Sequence, residues 1–193
     1  MKKLLGAALI ALLAGPVLPS ELSIAGAGGL HLPAQLAFRD VYGTAALFGL
    51  DVRWLAARNF GFSAGVMTLN RRGTAVSPDG GLESMGVKLR LTSIPLTAYW
   101  HIPRGRVGID LGAGFAYHDF EETWADDSGP ATSGGKWGLL ACASVAYELT
   151  SRLSVFGTVR YLNIATGRPS LLTDEVNLGG VQVLVGASWT IWR

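Results

Sequence analysis

The sequence predicts an all-β fold, a closed eight-stranded antiparallel transmembrane β-barrel preceded by a signal peptide. Beyond residue 20, eight segments alternate between apolar and mixed residues with the period of two that indicates a β-strand. In this alternation no charged residue falls on the apolar face, whereas charged residues and many glycines share the other face. An apolar exterior around a polar interior requires lipid outside, which excludes a soluble β-sandwich.

Residues 1–20 predict a secretory signal peptide. Lys2 and Lys3 form a positively charged start, and residues 4–13 are continuously apolar. That run is shorter than the ~20 residues that a transmembrane helix needs. We therefore expect the barrel domain to occupy residues 21–193.

Composition limits the classes of function. The chain has 193 residues, which suits one domain, and its 49% hydrophobic and 16% charged residues exclude disorder. Without Lys2 and Lys3 it carries 14 basic and 14 acidic residues, so a nucleic-acid partner has no support from net charge. The lone Cys142 forms no internal disulfide and is expected to be a small buried apolar residue.

The strands are predicted from alternation alone. In chain order they cover 22–32, 47–54, 60–69, 87–102, 107–118, 137–149, 153–161 and 181–191. The first is weak because it is rich in glycine and alanine, and the fifth is the most regular.

The fourth segment contains a change of phase. Val87, Leu89 and Leu91 share one parity, whereas the apolar residues from Ile94 onward share the other. An extra residue explains this change, so we predict a β-bulge at Thr92-Ser93-Ile94, beside Pro95. The alternative is that the strand begins after Pro95.

The last segment ends in aromatic residues, where a membrane–water interface favours them. Gly186, Trp189 and Ile191 resemble the terminal assembly signal of outer-membrane β-barrel proteins. This resemblance implies the barrel-assembly machinery as a partner during biogenesis.

The connections alternate in length. Short ones cover 55–59, 103–105 and 150–152, and long polar ones cover 33–46, 70–86, 119–136 and 163–175. Short turns on one rim and long loops on the other are typical of transmembrane barrels. The third long connection is predicted to be an acidic outer loop, containing Asp119, Glu121, Glu122, Asp126 and Asp127.

The closing hairpins carry a family resemblance. Tyr147-Glu148-Leu149-Thr150 leads through a short turn into residues 153–155, and Asn177-Leu178-Gly179-Gly180 precedes Gly186. These features resemble small eight-stranded outer-membrane β-barrel proteins of the OmpA/OmpX/OmpW type. The resemblance implies a monomer in the outer membrane of a Gram-negative bacterium, surrounded by outer-membrane lipid. Members of this group act as structural anchors, adhesins, small channels or lipid-modifying enzymes.

Seven charged residues are predicted to point into the lumen: Asp51, Arg53, Lys88, Arg90, Asp110, Glu148 and Arg160. One interpretation is a salt-bridged plug, because a barrel of this size has room only for its own side chains. A second is a selective conduit. A third is a ligand cavity, because inward positions such as Met67, Leu140 and Leu184 are apolar.

No catalytic residue, metal site or cofactor is predicted. His31, His101 and His118 are scattered over three strands, and no pair has the spacing of metal ligands. Asp119 follows His118, but adjacent strand residues point to opposite faces, so it cannot orient the imidazole.

The function favoured by the sequence is non-enzymatic, a structural or surface-binding role of the outer loops. A small pore or a transporter of a small, apolar solute is the alternative, and a lipid-modifying enzyme ranks third. No feature identifies a surface partner.

Overall fold

The computed structural model describes residues 21–76, 84–125, 131–164, 177 and 179–193. The predicted signal peptide at 1–20, together with Asp126 and Asp127, lies outside the described residues.

Eight antiparallel strands form one closed barrel in sequence order. A single short helix, α1, connects the first two strands in the described part of the chain. The elements are β1 (Glu21–Pro33), α1 (Leu36–Tyr42), β2 (Ala45–Ala57), β3 (Phe60–Val76), β4 (Ser84–Arg104), β5 (Val107–Trp124), β6 (Thr132–Glu148), β7 (Leu153–Asn163) and β8 (Gly180–Trp192).

Closure joins β1 to β8 from Pro33 opposite Gly180 down to Leu22 opposite Trp192. The register shifts by one residue between Leu22 and Ser23, close to the chain end. The predicted barrel class is therefore confirmed, and pairing of β1 with β8 leaves no free sheet edge at this seam.

The two faces of the wall differ as predicted within the membrane-spanning part. Outward residues are exposed and apolar, as at Leu111 with 52% and Val185 with 66% exposure. Inward residues on the same strands are buried, as at Ala116 and Leu184. In the membrane this outward apolar band is covered by lipid.

The wall is not equally tall around the barrel. β3 to β6 contain 17, 21, 18 and 17 residues, whereas β7 contains 11 and β1, β2 and β8 contain 13 each. A transmembrane strand needs only about 9–11 residues. β3 to β6 therefore continue beyond the membrane on the side of the long connections. The expectation of loops at 70–86 and 119–136 is wrong wherever these strands continue.

The predicted bulge in β4 is wrong. Pairing of β4 with β5 runs without a shift from Val87 opposite Trp124 to Arg104 opposite Val107. Val87, Leu91, Ser93 and Pro95 are all buried, so they share the inward face.

The apparent change of phase has a different cause. Val87, Leu89 and Leu91 belong to the part of β4 above the membrane, where water rather than lipid surrounds the barrel. There the apolar residues face a packed interior and the polar ones face outward. The odd-numbered residues of β4 therefore point inward along the whole strand. What changes along the strand is which face, inward or outward, carries the apolar residues.

The lipid-facing wall can be tested by a charged substitution. We expect Leu111→Arg to lower the free energy of unfolding by ~2–4 kcal/mol, because Leu111 lies near the middle of the outward apolar part of β5. Ser133→Arg, on the outward face of β6 above the membrane, should change it by less than about 0.5 kcal/mol. Urea unfolding of both variants in lipid vesicles measures the difference. Equal effects would contradict the lipid-facing assignment of Leu111.

The continuous parity of β4 can be tested by thiol labelling in a Cys142→Ala background. A membrane-impermeant maleimide added from outside should modify Arg90→Cys, because Arg90 is exposed. Leu91→Cys should resist modification, because Leu91 is only 3% exposed. If Leu91→Cys were labelled and Arg90→Cys were protected, the result would support a β-bulge in β4 instead.

Candidate functional site

The barrel interior has three levels, beginning with a vestibule that opens on the periplasmic side. This cavity measures about 570 Å³. Its wall combines Arg53, Tyr99, His101 and Asp110 with rim residues that include Glu148. The vestibule is polar and charged, as expected for the interior of an outer-membrane barrel.

An ion-paired network lies at the inner end of the vestibule. Asp110 Oδ2 on β5 accepts a hydrogen bond from Arg53 Nη2 on β2, and His101 Nδ1 on β4 lies 2.7 Å from Asp110 Oδ1. The Arg53 guanidinium also lies over the Tyr99 ring, 4.9 Å from its centroid. Three strands are tied together here by groups whose charge is compensated.

The central level is narrower and holds two further charges. Arg160 Nη1 donates to the sulfur of Met67 at 2.8 Å. Asp51 points into the same region, where a Cβ on Gly65 would collide with its carboxylate. Among the described residues, neither Asp51 Oδ1 nor Arg160 Nε has a hydrogen-bond partner. The adjoining cavity measures about 40 Å³, enough for about one water molecule.

A serine and a histidine meet at this level, a contact that the sequence did not predict. Ser93 Oγ lies 2.6 Å from His118 Nδ1, and both side chains are buried. Neither residue lines any of the cavities described here, and Asp119 is exposed on the opposite face. This arrangement agrees with an interior histidine.

The outer level is mainly apolar. It consists of the interior cluster, fifteen buried residues from α1 and the barrel strands with Ile164: Phe38, Tyr42, Ala45, Leu47, Met67, Leu69, Val87, Leu89, Leu91, Ala116, Phe120, Leu140, Leu162, Ile164 and Leu184. The cavity beside α1 measures only about 20 Å³. The outer half of the barrel is therefore filled mainly by apolar side chains, with buried His31, Glu122 and Gln182 among them, and is closed by a helix.

Helix α1 is attached by a few polar contacts. The Tyr42 hydroxyl donates to Glu122 at 2.8 Å, and Arg71 Nε donates to the Tyr42 carbonyl at 2.9 Å. Burial, together with the negative charge of Glu122, raises the pKa of the Tyr42 phenol. The phenol therefore remains protonated and remains a donor. The N-cap residue, Gln35, makes no capping hydrogen bond through its side chain.

The structure places some of the predicted lumen charges inside the barrel and others at its rim or on its outer face. Asp51, Arg53, Asp110 and Arg160 point inward, and Glu148 lies at the periplasmic rim, where Arg193 donates to it at 2.6 Å. This hydrogen bond raises the pKa of Arg193. Placement of Lys88 and Arg90 in the lumen is wrong. They alternate with the buried Val87, Leu89 and Leu91 and so lie on the outer face.

The predicted acidic loop is also corrected. Asp119, Glu121 and Glu122 belong to β5, which ends at Trp124. Asp119 and Glu121 are exposed on the outer face, whereas Glu122 is fully buried against α1. Alternation along the strand therefore places Asp119 and Glu121 on one face and Glu122 on the other.

The assembly-signal residues lie on β8 as the pattern requires. Trp189 and Ile191 are about half exposed on the lipid-facing side, and Gly186 points inward. The structure does not test their recognition by an assembly machinery, so that role stays a prediction.

The role of α1 was missed from the sequence. The segment was read as a polar loop, yet Phe38 and Tyr42 have the i, i+4 spacing that places two side chains on one helical face. Their rings lie 5.5 Å apart and both are buried in the interior cluster. That short periodicity was the available signal.

Two searches of the described residues are negative. No helix there is long and apolar enough to cross a membrane. In the same part of the chain, no group of three or more His, Cys, Asp or Glu side chains is arranged to hold a metal ion.

A closed antiparallel barrel with an apolar outer wall defines the class of outer-membrane β-barrel proteins. The sequence matches the outer membrane protein beta-barrel domain family over residues 5–189, and the chain belongs to this family. It is a protein of the Gram-negative outer membrane.

Solved structures with this fold include OprG from Pseudomonas aeruginosa, with a TM-score of 0.71 and 13% identity over 91% of this chain and 97% of that one. Neisserial surface protein A (NspA) follows with 0.61 and 16%, covering 88% and 96%. Ail of Yersinia pestis, bound to the heparin analogue sucrose octasulfate, gives 0.54 and 15%, covering 89% and 97%. At these identities the likeness shows the fold alone. No curated protein matches the chain.

The ion-paired network can be tested by removing one charge. Asp110→Asn should lower the free energy of unfolding by ~1–3 kcal/mol, because it strips the Arg53 guanidinium of its buried partner. Glu148→Gln is the matched control and should cost at most ~1 kcal/mol, because its pair with Arg193 is solvent-exposed. Denaturant unfolding in detergent micelles measures both. A larger loss for Glu148→Gln would contradict the network.

Proposed function

We propose that this protein is a non-enzymatic outer-membrane barrel whose outer half admits small apolar solutes. The observation that carries the proposal is the apolar interior of that half, formed by the interior cluster. An ion pore is lined by polar or charged groups along its length. This interior suits a solute without charge.

Packing alone accounts for part of this apolar interior, because the tall wall formed by β3 to β6 needs a core above the membrane. Helix α1 adds a feature that packing does not require. It has seven residues, too few to be a stable helix in isolation, and it fills the mouth with Phe38 and Tyr42. Displacement of α1 would open the interior cluster to the outside.

The charged residues below the interior cluster favour an exit of the solute sideways through the barrel wall rather than along the barrel axis. Arg53, Asp110 and Arg160 occupy the route to the vestibule, and desolvating these groups against an apolar solute is unfavourable. Beside the interior cluster, β7 ends at Asn163, whereas β6 continues upward to Thr132 without β7 as a partner. Among the described residues, β6 above Leu139 has no paired strand on this side.

The outer surface has an apolar groove at the same place. It measures about 540 Å³ and is lined by the sets 113–115 and 139–141 together with Tyr161 and Asn163. One of its lining residues, Leu140, also belongs to the interior cluster. An apolar solute leaving between β6 and β7 would therefore pass from one apolar surface to another.

Surface binding is the second candidate, favoured by the height of β3 to β6 above the membrane. The sequence ranked it first because it predicted a regular barrel with long, acidic outer loops that carry no catalytic pattern. The strands β3 to β6 replace much of those expected loops, and the outward position of Lys88 and Arg90 leaves the outer lumen without the cations of an ion conduit. For these two reasons we place apolar passage first.

Uptake by whole cells tests the proposal, because an intact outer leaflet is the barrier that such a protein would bypass. The probe is 1-N-phenylnaphthylamine, which fluoresces in apolar surroundings. Cells with the wild-type protein should take it up severalfold faster than cells without it. Tyr42→Phe should accelerate uptake further, because it removes the hydrogen bond that holds α1 to Glu122.

The interior is probed by Leu69→Glu, which should abolish the added uptake by placing a charge in the interior cluster. Thr74→Glu, outward and exposed on the same strand, is the control and should leave uptake unchanged. Heat-dependent gel migration confirms that each variant is folded. Uptake equal to that of cells without the protein would contradict the proposal. So would stable conductance in a planar bilayer that is weakened by Arg160→Gln, because it would indicate an ion pore.

A further inference from the structure

Four buried polar side chains inside the barrel have hydrogen-bonding atoms without a partner in the described part of the chain. These atoms are His31 Nδ1, His118 Nε2, Arg160 Nε and Gln182 Oε1. Their side chains are between 1% and 7% exposed, and we call the four residues the polar quartet. Unpaired polar atoms in a closed interior are unfavourable, so a group that hydrogen-bonds to them would be stabilised there.

The register of the strands places three members of the polar quartet side by side. Gln182 on β8 is opposite His31 on β1, and on its other side it is opposite Arg160 on β7. Residues paired in this way have Cβ atoms about 4.5–5.5 Å apart. His118 lies on β5, across the barrel, and its charge interacts with those of His31 and Arg160. The four side chains therefore converge on one region of the interior from four strands.

The surroundings of the polar quartet are apolar. Leu162 is the next inward residue after Arg160 on β7, and Leu184 is the next after Gln182 on β8. Both leucines belong to the interior cluster. His31 also lines the small cavity beside α1. A ligand in this region would meet polar atoms at one point and hydrocarbon around it, which suits a molecule with one polar group on an apolar chain.

The unpaired atoms select the kind of polar group. Gln182 Oε1 can only accept a hydrogen bond, whereas the Nε–H group of Arg160 can only donate one. A hydroxyl group both donates and accepts, so one hydroxyl between these two neighbours satisfies both. An ether oxygen only accepts, and it would leave Gln182 Oε1 unpaired.

The charges around the polar quartet favour an uncharged ligand. The charge of Arg160 already interacts with that of Asp51, and the amide of Gln182 carries none. A carboxylate would therefore bring an additional charge out of water into an apolar region, which is unfavourable. Arg160 would repel a metal cation at the same place. A neutral hydroxyl avoids both costs.

We infer that the polar quartet binds the hydroxyl group of an uncharged aliphatic alcohol, whose hydrocarbon chain lies along the interior cluster. The adjoining cavities measure only about 40 and 20 Å³, too small for such a chain. The alcohol therefore enters when α1 is displaced. This inference rests on the proposed passage of apolar solutes, and it names the solutes that the passage favours.

Two isomeric solutes separate the effect of the hydroxyl from that of apolar character. 1-Dodecanol can donate a hydrogen bond, whereas its isomer 1-methoxyundecane can only accept one. Uptake of the deuterated solutes by whole cells is measured by mass spectrometry, and uptake by cells without the protein is subtracted. With the wild-type protein the alcohol should enter about fivefold faster than the ether, which is the effect of about one hydrogen bond.

A variant and a matched control locate this preference. Gln182→Met should slow the alcohol to the rate of the ether and leave the ether unchanged, because it removes the acceptor and keeps the length of the side chain. Thr190→Val removes a buried polar group from the same strand near the periplasm and should keep the preference.

Contact with the polar quartet can be measured directly by NMR on the folded wild-type protein in detergent. The chain has three histidines, and ¹⁵N labelling of their rings reports on each. 1-Dodecanol should shift the signals of His31 and His118 more than 1-methoxyundecane does. His101, which is bonded to Asp110 in the vestibule, is the internal control and should not respond.

The outcomes distinguish this inference from the proposed function. Equal uptake of the two isomers, both faster than in cells without the protein, would overturn the inference and leave apolar passage standing. It would indicate that water pairs with the polar quartet. Uptake of neither isomer above that of cells without the protein would overturn both. Equal shifts with the two isomers, or a shift confined to His101, would also contradict binding at the polar quartet.

Discussion

The structure depends on the requirement that every backbone hydrogen-bonding group in the hydrocarbon layer has a partner within the protein. Pairing of β1 with β8 meets this requirement by closing the sheet. Closure by eight strands leaves an interior that is filled by side chains, with glycines such as Gly65 making room for charges such as Asp51. The buried ion pairs and the apolar cluster are both consequences of a narrow, closed wall.

The surrounding medium changes along each tall strand, and the polarity of the side chains changes with it. On β4, outward Ile94 and Leu96 contact lipid, whereas outward Lys88 and Arg90 lie above it. Inward positions follow the opposite order, from His101 beside Asp110 to the buried Leu89. One strand therefore satisfies the rules of a membrane barrel in its lower part and those of a water-soluble barrel in its upper part.

This inversion also underlies the proposed passage of apolar solutes. It places apolar side chains inside the outer half, where they suit an apolar solute, and it places Lys88 and Arg90 outside, above the lipid-facing band. The level of ion pairs below the interior cluster separates that half from the vestibule. The wall is also unequal in height. The groove lined by Arg72, Lys88 and Arg90 lies on its tall side, and the pairing of β6 with β7 ends on its short side.

The sequence by itself determined the fold class, the strand order and the faces within the lipid layer. Alternation with a period of two is local and was read correctly for residues such as Leu111 and Val183. The tertiary structure decided where the membrane ends, because the same alternation places apolar residues outward in lipid and inward in water. It also decided that Phe38 and Tyr42 enter the barrel and that Glu122 meets Tyr42 across 80 positions. Such contacts depend on closure of the whole wall, which no local pattern records.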